Sequence, residues 1–320
     1  MLTIHLLVQN NEKTIYQALK SVVVLNASIL VGNLGSKDNT INICKEFNTD
    51  IFDVSPNDLS VARNTLISKT KTPWAFYLHP WEVLVGGHYQ LLESIKLNKN
   101  SYLCQVFQGN IITKEIRLWN VSSLKFDNPV YETIYDPMAF FEKDIILYNT
   151  GTNVNYDEQF EIIKEWKKKQ PISSNPYYYE ACVLLQQGNY KEFISIANYY
   201  LFREQSGLST IMLKYYLAMV YLKYKNYRTA LFHLLACVAI RPLMAEFWCL
   251  LGDIFYKQDK FIEAKMFYDN AIILGSRRIL SDDWPIDINK YKEYPEKMAE
   301  SCNKMIYETR YYFTDSEKLI

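Results

Sequence analysis

The sequence predicts an α/β sheet domain followed by an all-α array of paired helices, together filling 320 residues. Short apolar β-runs alternate with amphipathic helical stretches through the first half, the pattern of a sheet covered by helices. Strand signals stop near residue 155. Beyond that point small and large apolar residues recur with a helical-repeat period. The boundaries read as 1–155 for the sheet domain, 156–286 for the repeats and 287–320 for a capping helix and tail.

Leu2-Thr3-Ile4-His5-Leu6-Leu7-Val8 is mostly apolar and reads as a buried strand ending at Gln9-Asn10-Asn11-Glu12. From Thr14 to Val24 a helical period puts Ile15, Leu19 and Val22 on one face. Ile29 to Gly32 is the next strand. Asp38 is placed to cap a helix through Phe47, with Ile41, Ile43 and Cys44 turned inward. Ile51 to Val54, Trp74 to Leu78, Tyr102 to Phe107 and Ile116 to Trp119 read as later strands, with a helix over Leu59 to Lys69.

Among the helices, Trp248, Leu251, Gly252, Phe255, Ala264, Tyr268 and Ala271 stand at tetratricopeptide positions. One period earlier Leu217, Ala218, Tyr221, Ala230, Cys237 and Pro242 fill the same slots. A weaker copy runs from Tyr177 through Ala181, Leu184, Phe193 and Ala197. Small residues let paired helices approach and large ones fill the gaps between them; Asp287 to Arg310 should close the apolar end of the stack.

Composition narrows the functional classes. With 49% apolar and 22% charged residues the chain is packed rather than disordered. Lys plus Arg equals Asp plus Glu at 35 each, so no global field draws it to a polyanion; nucleic acid stays open as a partner but is not indicated by charge. Cys44, Cys104, Cys182, Cys237, Cys249 and Cys302 are far apart with no Cys-x-x-Cys, the distribution of reduced core thiols. The N-terminal apolar run is too short for a signal sequence or a span, so the expectation is a soluble cytoplasmic protein with no membrane contact.

Four segments then appear in a telling order: Gln9-Asn10-Asn11-Glu12, Asn33-Leu34-Gly35-Ser36-Lys37-Asp38, Asp58 to Asn64, and His79-Pro80-Trp81-Glu82. Together they resemble the family 2 glycosyltransferases of GT-A (Rossmann-like) fold. Ile116-Arg117-Leu118-Trp119 is similar to an Arg-Leu-Phe strand of members with repeat tails. Asn128-Pro129-Val130-Tyr131-Glu132 is similar to their Gly-x-Val-His-Glu, with Tyr131 in place of His. A GT-A domain followed by a tetratricopeptide array resembles the bacterial and phage peptide S-glycosyltransferases.

The resemblance implies a nucleoside-diphosphate sugar donor held at the carboxyl ends of parallel strands. It places Val8 and Asn10 beneath the nucleoside. Asn33 stands where the family has an Asp that binds the base, and an amide offers both a donor and an acceptor there. Gly35 and Asp38 match the usual turn, the first supplying a left-handed backbone angle and the second a helix cap. Arg63 would give charge-assisted hydrogen bonds to the diphosphate.

At 79 to 82 the chain departs from the family's Asp-x-Asp-Glu. His79 and Trp81 replace the two carboxylates, and Glu82 alone matches. A phosphate-bridging divalent ion wants oxygen ligands, whereas His79 suits Mn or Zn better than Mg. The metal therefore stays open between Mn and none. Trp81 has a face on which a sugar or acceptor can stack. For the base that deprotonates the acceptor the candidates are Glu132 and Glu82.

The implied activity is transfer of a sugar to a nucleophile on a macromolecule, with peptide or protein favoured. A hydroxymethylated DNA base or a glycan are alternative acceptors. The loss of Asp at 33, 79 and 81 raises a further alternative, a non-catalytic scaffold whose repeats bind a partner. A homodimer through the repeats is compatible with the pattern.

Overall fold

The computed structural model describes residues 1–97, 99–151, 155–278 and 283–316. It divides into two compact units, Met1–Tyr179 and Glu180–Ile320. The sequence boundary at 155 thus falls before the end of the first unit, which keeps the helix that follows the last sheet strand. Of the expected cap and tail, 317–320 lie outside the described residues.

In the first unit the elements are β1 (Leu2–Val8), α1 (Ile15–Val22), β2 (Ser28–Asn33), α2 (Thr40–Glu46), β3 (Asp50–Asp53), α3 (Leu59–Lys69), β4 (Trp74–Tyr77), β5 (Glu82–Gly86), α4 (His88–Ser94), β6 (Ser101–Gln108), β7 (Ile111–Asn120), β8 (Phe140–Asn149) and α5 (Tyr156–Lys169). They form a mixed α/β domain. The strands run in the order β3-β2-β1-β4-β7-β6-β8-β5. The first four pair in parallel, β7 is antiparallel to β4 and β6, and β5 is antiparallel to β8.

A strand covered on both faces is mostly apolar, and every residue of β1 is buried, Thr3 and His5 with the rest. Ile15, Ala18, Leu19 and Val22 turn the buried face of α1 onto it. Asp38 acts on the first turn of α2 from outside the helix: Oδ1 accepts from the Thr40 amide at 3.0 Å, while Asn39 is the capping residue. Gly87 lets the chain turn from β5 into α4 against β8. Its φ is +81°, and a Cβ there would lie 2.3 Å from the Asp144 carbonyl oxygen.

His5 is a polar side chain inside the core strand. It is fully buried, Nε2 meets the Thr70 hydroxyl at 2.7 Å, and Nδ1 has no partner. Burial, helped by the Arg63 charge, pulls its pKa down to about 3. A histidine neutral in the folded chain and titrating near 6.5 when unfolded contributes stability above that value, and loses it as pH falls toward the folded pKa. His79 is shifted in the same direction. Unfolding of the first unit should therefore become easier between pH 6.5 and 5, by about 2 kcal/mol for His5 alone. Denaturant titrations at stepped pH read this directly, and flat stability across the interval would contradict the burial of neutral histidine.

The second unit is helical and tetratricopeptide-like. It takes in the end of α6 (Asn175–Gln186), then α7 (Tyr190–Arg203), α8 (Leu208–Lys223), α9 (Tyr227–Ile240), α10 (Ala245–Tyr256), α11 (Phe261–Gly275) and α12 (Glu293–Ser316). α8 packs on α9, α10 on α11, and α12 closes on α11. The pattern residues Ala218, Ala230, Leu251, Ala264, Tyr268 and Ala271 are all buried. Gly252 shows why a small residue recurs: a Cβ there would lie 2.5 Å from the Tyr268 ring. That ring is itself fixed by a 2.8 Å hydrogen bond from its hydroxyl to Asp253. The weaker copy folds the same way, with Ala181 and Leu184 buried on α6 and Phe193 and Ala197 on α7.

Among the described residues no helix is long and apolar enough to cross a membrane. The six cysteines are free thiols, all buried except Cys182, which is half-buried.

Candidate functional site

At the carboxyl ends of the parallel strands the first unit holds a cavity of about 480 Å³, within the size range of small-molecule sites. The sheet order arranges its lining. Leu7, Gln9 and Leu34 come from the β1–β2 side with Pro56, Leu59 and Arg63 beside them, and Gln108, Thr113, Glu115, Arg117 and Asn149 come from β6, β7 and β8. His79, Trp81 and Glu82 stand on the turn after β4, and Tyr131, Glu132 and Thr133 on a loop after β7. Helix α5 adds Asn155, Glu158, Gln159 and Ile162.

Tyr77 is the centre of the polar floor. The Arg63 guanidinium lies 4.5 Å from its ring centroid and that of Arg117 lies 4.1 Å away. Such stacking lets two weakly hydrated cations sit in a dry interior. Both side chains are 1% exposed. Each is paired. Arg117 makes a two-armed contact with Glu82, Nη1 to Oε2 and Nη2 to Oε1 at 2.8 Å each, and also reaches Glu115 at 2.8 Å. Arg63 Nε donates to Glu132 Oε1 at 3.0 Å, and Nη2 faces His79 Nδ1 at 3.5 Å. Two buried donors remain without a partner, Arg63 Nη1 and Arg117 Nε.

The Arg63-Asn64 pair positions Glu132. Asn64 binds the Phe126 backbone with both ends of its amide at 2.9 Å, and the Leu59 amide donates to the Pro129 carbonyl at 2.9 Å. Paired hydrogen bonds between Asp127 and Thr133, at 2.9 and 3.0 Å, close the loop. Inside it Asn128 and Tyr131 take left-handed φ values of +69° and +48°. Asn accepts that geometry readily; for Tyr it is strained by about 1–3 kcal/mol. Tyr131 is braced by stacking on Tyr179, 5.4 Å between centroids.

Glu82 reaches the cavity wall but is committed on both oxygens, because Oε2 also accepts the His79 amide at 3.0 Å. Burial pushes its carboxyl above the usual range against the pull of Arg117. It anchors the 79–82 turn and is a poor base. Glu132 differs: among the described residues its Oε2 takes no hydrogen bond.

The donor set does not fit a divalent ion. His79 is half-buried, and desolvation together with the charges of Arg117 and Arg63 holds its ring neutral. Its Nδ1 faces a guanidinium, and its ring stacks on Trp81 at 4.8 Å and 8°. Two cations therefore stand where a third would have to bind. His88 is tied to the Ser21 carbonyl at 2.9 Å. Among the described residues no three His, Cys, Asp or Glu side chains converge to hold a metal.

Several nucleotide-side candidates stand beside the cavity rather than on its wall. Val8 is buried and its carbonyl accepts the Leu34 amide at 2.9 Å. Asn10 Oδ1 accepts from the Lys37 amide at 2.8 Å. Asn33 Oδ1 accepts from the Gly35 and Ser36 amides, and Nδ2 donates to Asp53 at 2.8 Å. The Asn33 amide is thus spent inside its own turn, with Asp53 as its outward neighbour. Gly35 takes φ +91°, and Asp38 Oδ2 accepts the Glu12 amide at 3.1 Å. Against the raising effect of burial, hydrogen bonds from the Thr40 hydroxyl and from the Glu12 and Thr40 amides hold the Asp38 carboxyl below the usual range.

Tyr77, Glu115 and the α5 residues escaped sequence reasoning. Arg117 and Trp119 are two apart on β7 and share a face, which the β4–β7 register carries to Ala75 and Tyr77, and that spacing was the available signal. Glu115 lies beyond an irregularity in the β6–β7 register and reaches Arg117 at 2.8 Å, which no local pattern announces. Gln159 had no signal, since an amide on an amphipathic helix reads as solvent-facing.

No family model matches the chain, and no curated protein does. Among solved structures it is similar to MamA (residues 41 to the end) from Desulfovibrio magneticus RS-1, at 24% identity over 48% of this chain and 86% of that one, with a TM-score of 0.36. It is also similar to the Sgt2 TPR domain from Aspergillus fumigatus, at 14% identity over 43% and 81%, with a TM-score of 0.35. Likenesses this slight carry no chemistry over to the chain.

Proposed function

We propose that the first unit is a glycosyltransferase domain of the GT-A type, taking a nucleoside-diphosphate sugar into the 480 Å³ cavity and transferring its sugar to a macromolecular nucleophile. One observation carries this reading: residues from four separate segments, Gln9, Arg63, His79-Trp81 and Glu132, converge on one cavity at the carboxyl ends of parallel strands. The nucleoside lies against Leu34, Pro56 and Leu59, and the unpartnered Arg63 Nη1 meets the diphosphate. Trp81 offers an aromatic face to the sugar. Glu132 Oε2 takes the proton of the attacking group, while its Oε1 stays on Arg63. Peptide or protein is the acceptor that the family resemblance favours, and the helical repeats supply a surface to bind it.

The phosphate charge is met by guanidinium, so divalent metal is dispensable. The test is release of nucleoside diphosphate from a panel of sugar nucleotides, with chelator and with added Mg or Mn. Turnover that survives chelator is expected. Strict Mg dependence would contradict the metal-free site, and no turnover with any donor would favour a scaffold that kept the fold.

A further inference from the structure

We infer that the β6–β7–β8 end of the cavity is a subsite for a neutral pyranose, and that Glu115 determines its specificity by excluding sugars that carry a carboxylate. The inference rests on the proposed function for the direction in which a donor would enter, but its chemistry stands on the lining alone.

Strand order separates the two ends of the cavity. Nucleotide-side residues come from β1 and β2, and the other end is walled by β7, β6 and β8. Glu82 and Glu115 both pair with Arg117, and Arg63, the cavity's other guanidinium, is taken by Glu132. Glu82 takes both guanidinium arms, so Glu115 shares a cation already engaged. Its carboxylate is 39% exposed and its Oε1 is held by the Thr113 hydroxyl at 2.9 Å. An added anion would meet a surplus negative charge, at distances where desolvation strengthens repulsion.

Two buried polar atoms of the cavity are without a partner among the described residues: Gln159 Oε1, an acceptor on α5, and Nε of the Arg117 guanidinium, a donor. A carboxylate only accepts and would leave Gln159 unsatisfied. A hydroxyl both donates and accepts, so sugar hydroxyls suit either atom. The Trp81 ring, stacked on His79 through one face, presents apolar surface of the kind that packs on the C–H face of a pyranose.

The sugar could arrive on the donor or as the acceptor, and the experiment separates the two. Saturation-transfer NMR on the full chain would use methyl glucoside, methyl galactoside and the methyl glycoside of glucuronic acid at millimolar concentration. At least one neutral glycoside should bind, with the glucuronide about tenfold weaker or more. Glu115→Gln should shrink that discrimination to about twofold, and Gln159→Leu, which leaves the Arg117 cluster untouched, should weaken the neutral glycoside about tenfold. Displacement of the glycoside by UDP-, GDP-, dTDP- or ADP-glucose but not by the matching free nucleoside diphosphate marks a donor-sugar subsite; retention under whichever of these sugar nucleotides binds marks an acceptor subsite. Glucuronide binding as tight as the neutral glycosides, or no neutral glycoside binding at all, overturns the inference. Glycosides that bind to a chain with no affinity for any nucleotide would sustain this subsite while removing the donor reading; nucleotide binding without glycoside binding would do the reverse.

Discussion

Replacing Arg117 by Met should destabilise the first unit by about 3–5 kcal/mol, because it strands the Glu82 carboxylate in a dry interior. Glu82 is 1% exposed, and both its oxygens lie on Arg117 at 2.8 Å. Removing one partner of such a pair leaves the other charge uncompensated. Hydrogen exchange in β4 and β7 under denaturant reports this unit alone. The paired change Glu82→Leu with Arg117→Met should recover much of the loss, since an apolar pair needs no compensation. A single Arg117→Met variant within 1 kcal/mol of the parent, roughly the worth of an exposed pair, would mean that water reaches the carboxylate.

The second large effect concerns chemistry. Glu132→Gln should slow transfer by about 10² to 10⁴, the usual worth of a positioned base. Folding and donor affinity should survive, because the amide oxygen can still accept from Arg63 Nε at the 3.0 Å position. Transfer at the parental rate would move the base elsewhere. Glu82 is the weaker substitute on structural grounds, and Glu115 and Glu158, which also line the cavity, would be next.

Much of this architecture was legible in residue order. β1, β2 and β4 are built on predominantly apolar runs, the mark of strands buried on both faces. The repeat was equally plain, because a close helix approach needs a small residue, Gly252 against Tyr268 in one copy and Ala218 in the same slot one period earlier. β5 and β8 were not legible. β8 reads Phe-Phe-Glu-Lys-Asp-Ile-Ile-Leu-Tyr-Asn, half-exposed with no clean alternation, and β5 pairs only with it, antiparallel.

At the site, the sequence named Arg63, His79, Trp81, Glu82 and Glu132, and all five line one cavity. Which of them are occupied was not legible. That Glu82 is consumed by Arg117, and that His79 faces a guanidinium, depends on β7 crossing beside β4, a long-range pairing with no local signature. Asn33 points the same way: its amide closes the turn of Gly35 and Ser36, a use invisible until the backbone of that turn is known.

The central claim is that the first unit binds a nucleoside-diphosphate sugar in this cavity without a metal. Hydrogen exchange with and without UDP-, GDP-, dTDP- and ADP-hexoses, all in chelator, tests it most directly. One of these donors at a hundredfold excess over its Kd should stabilise the unit by about 2.7 kcal/mol. The protection should fall on residues 7–11, 34, 56–63 and 79–82, which line or flank the nucleotide side of the cavity. No stabilisation by any donor, or protection confined to other segments, would contradict the account.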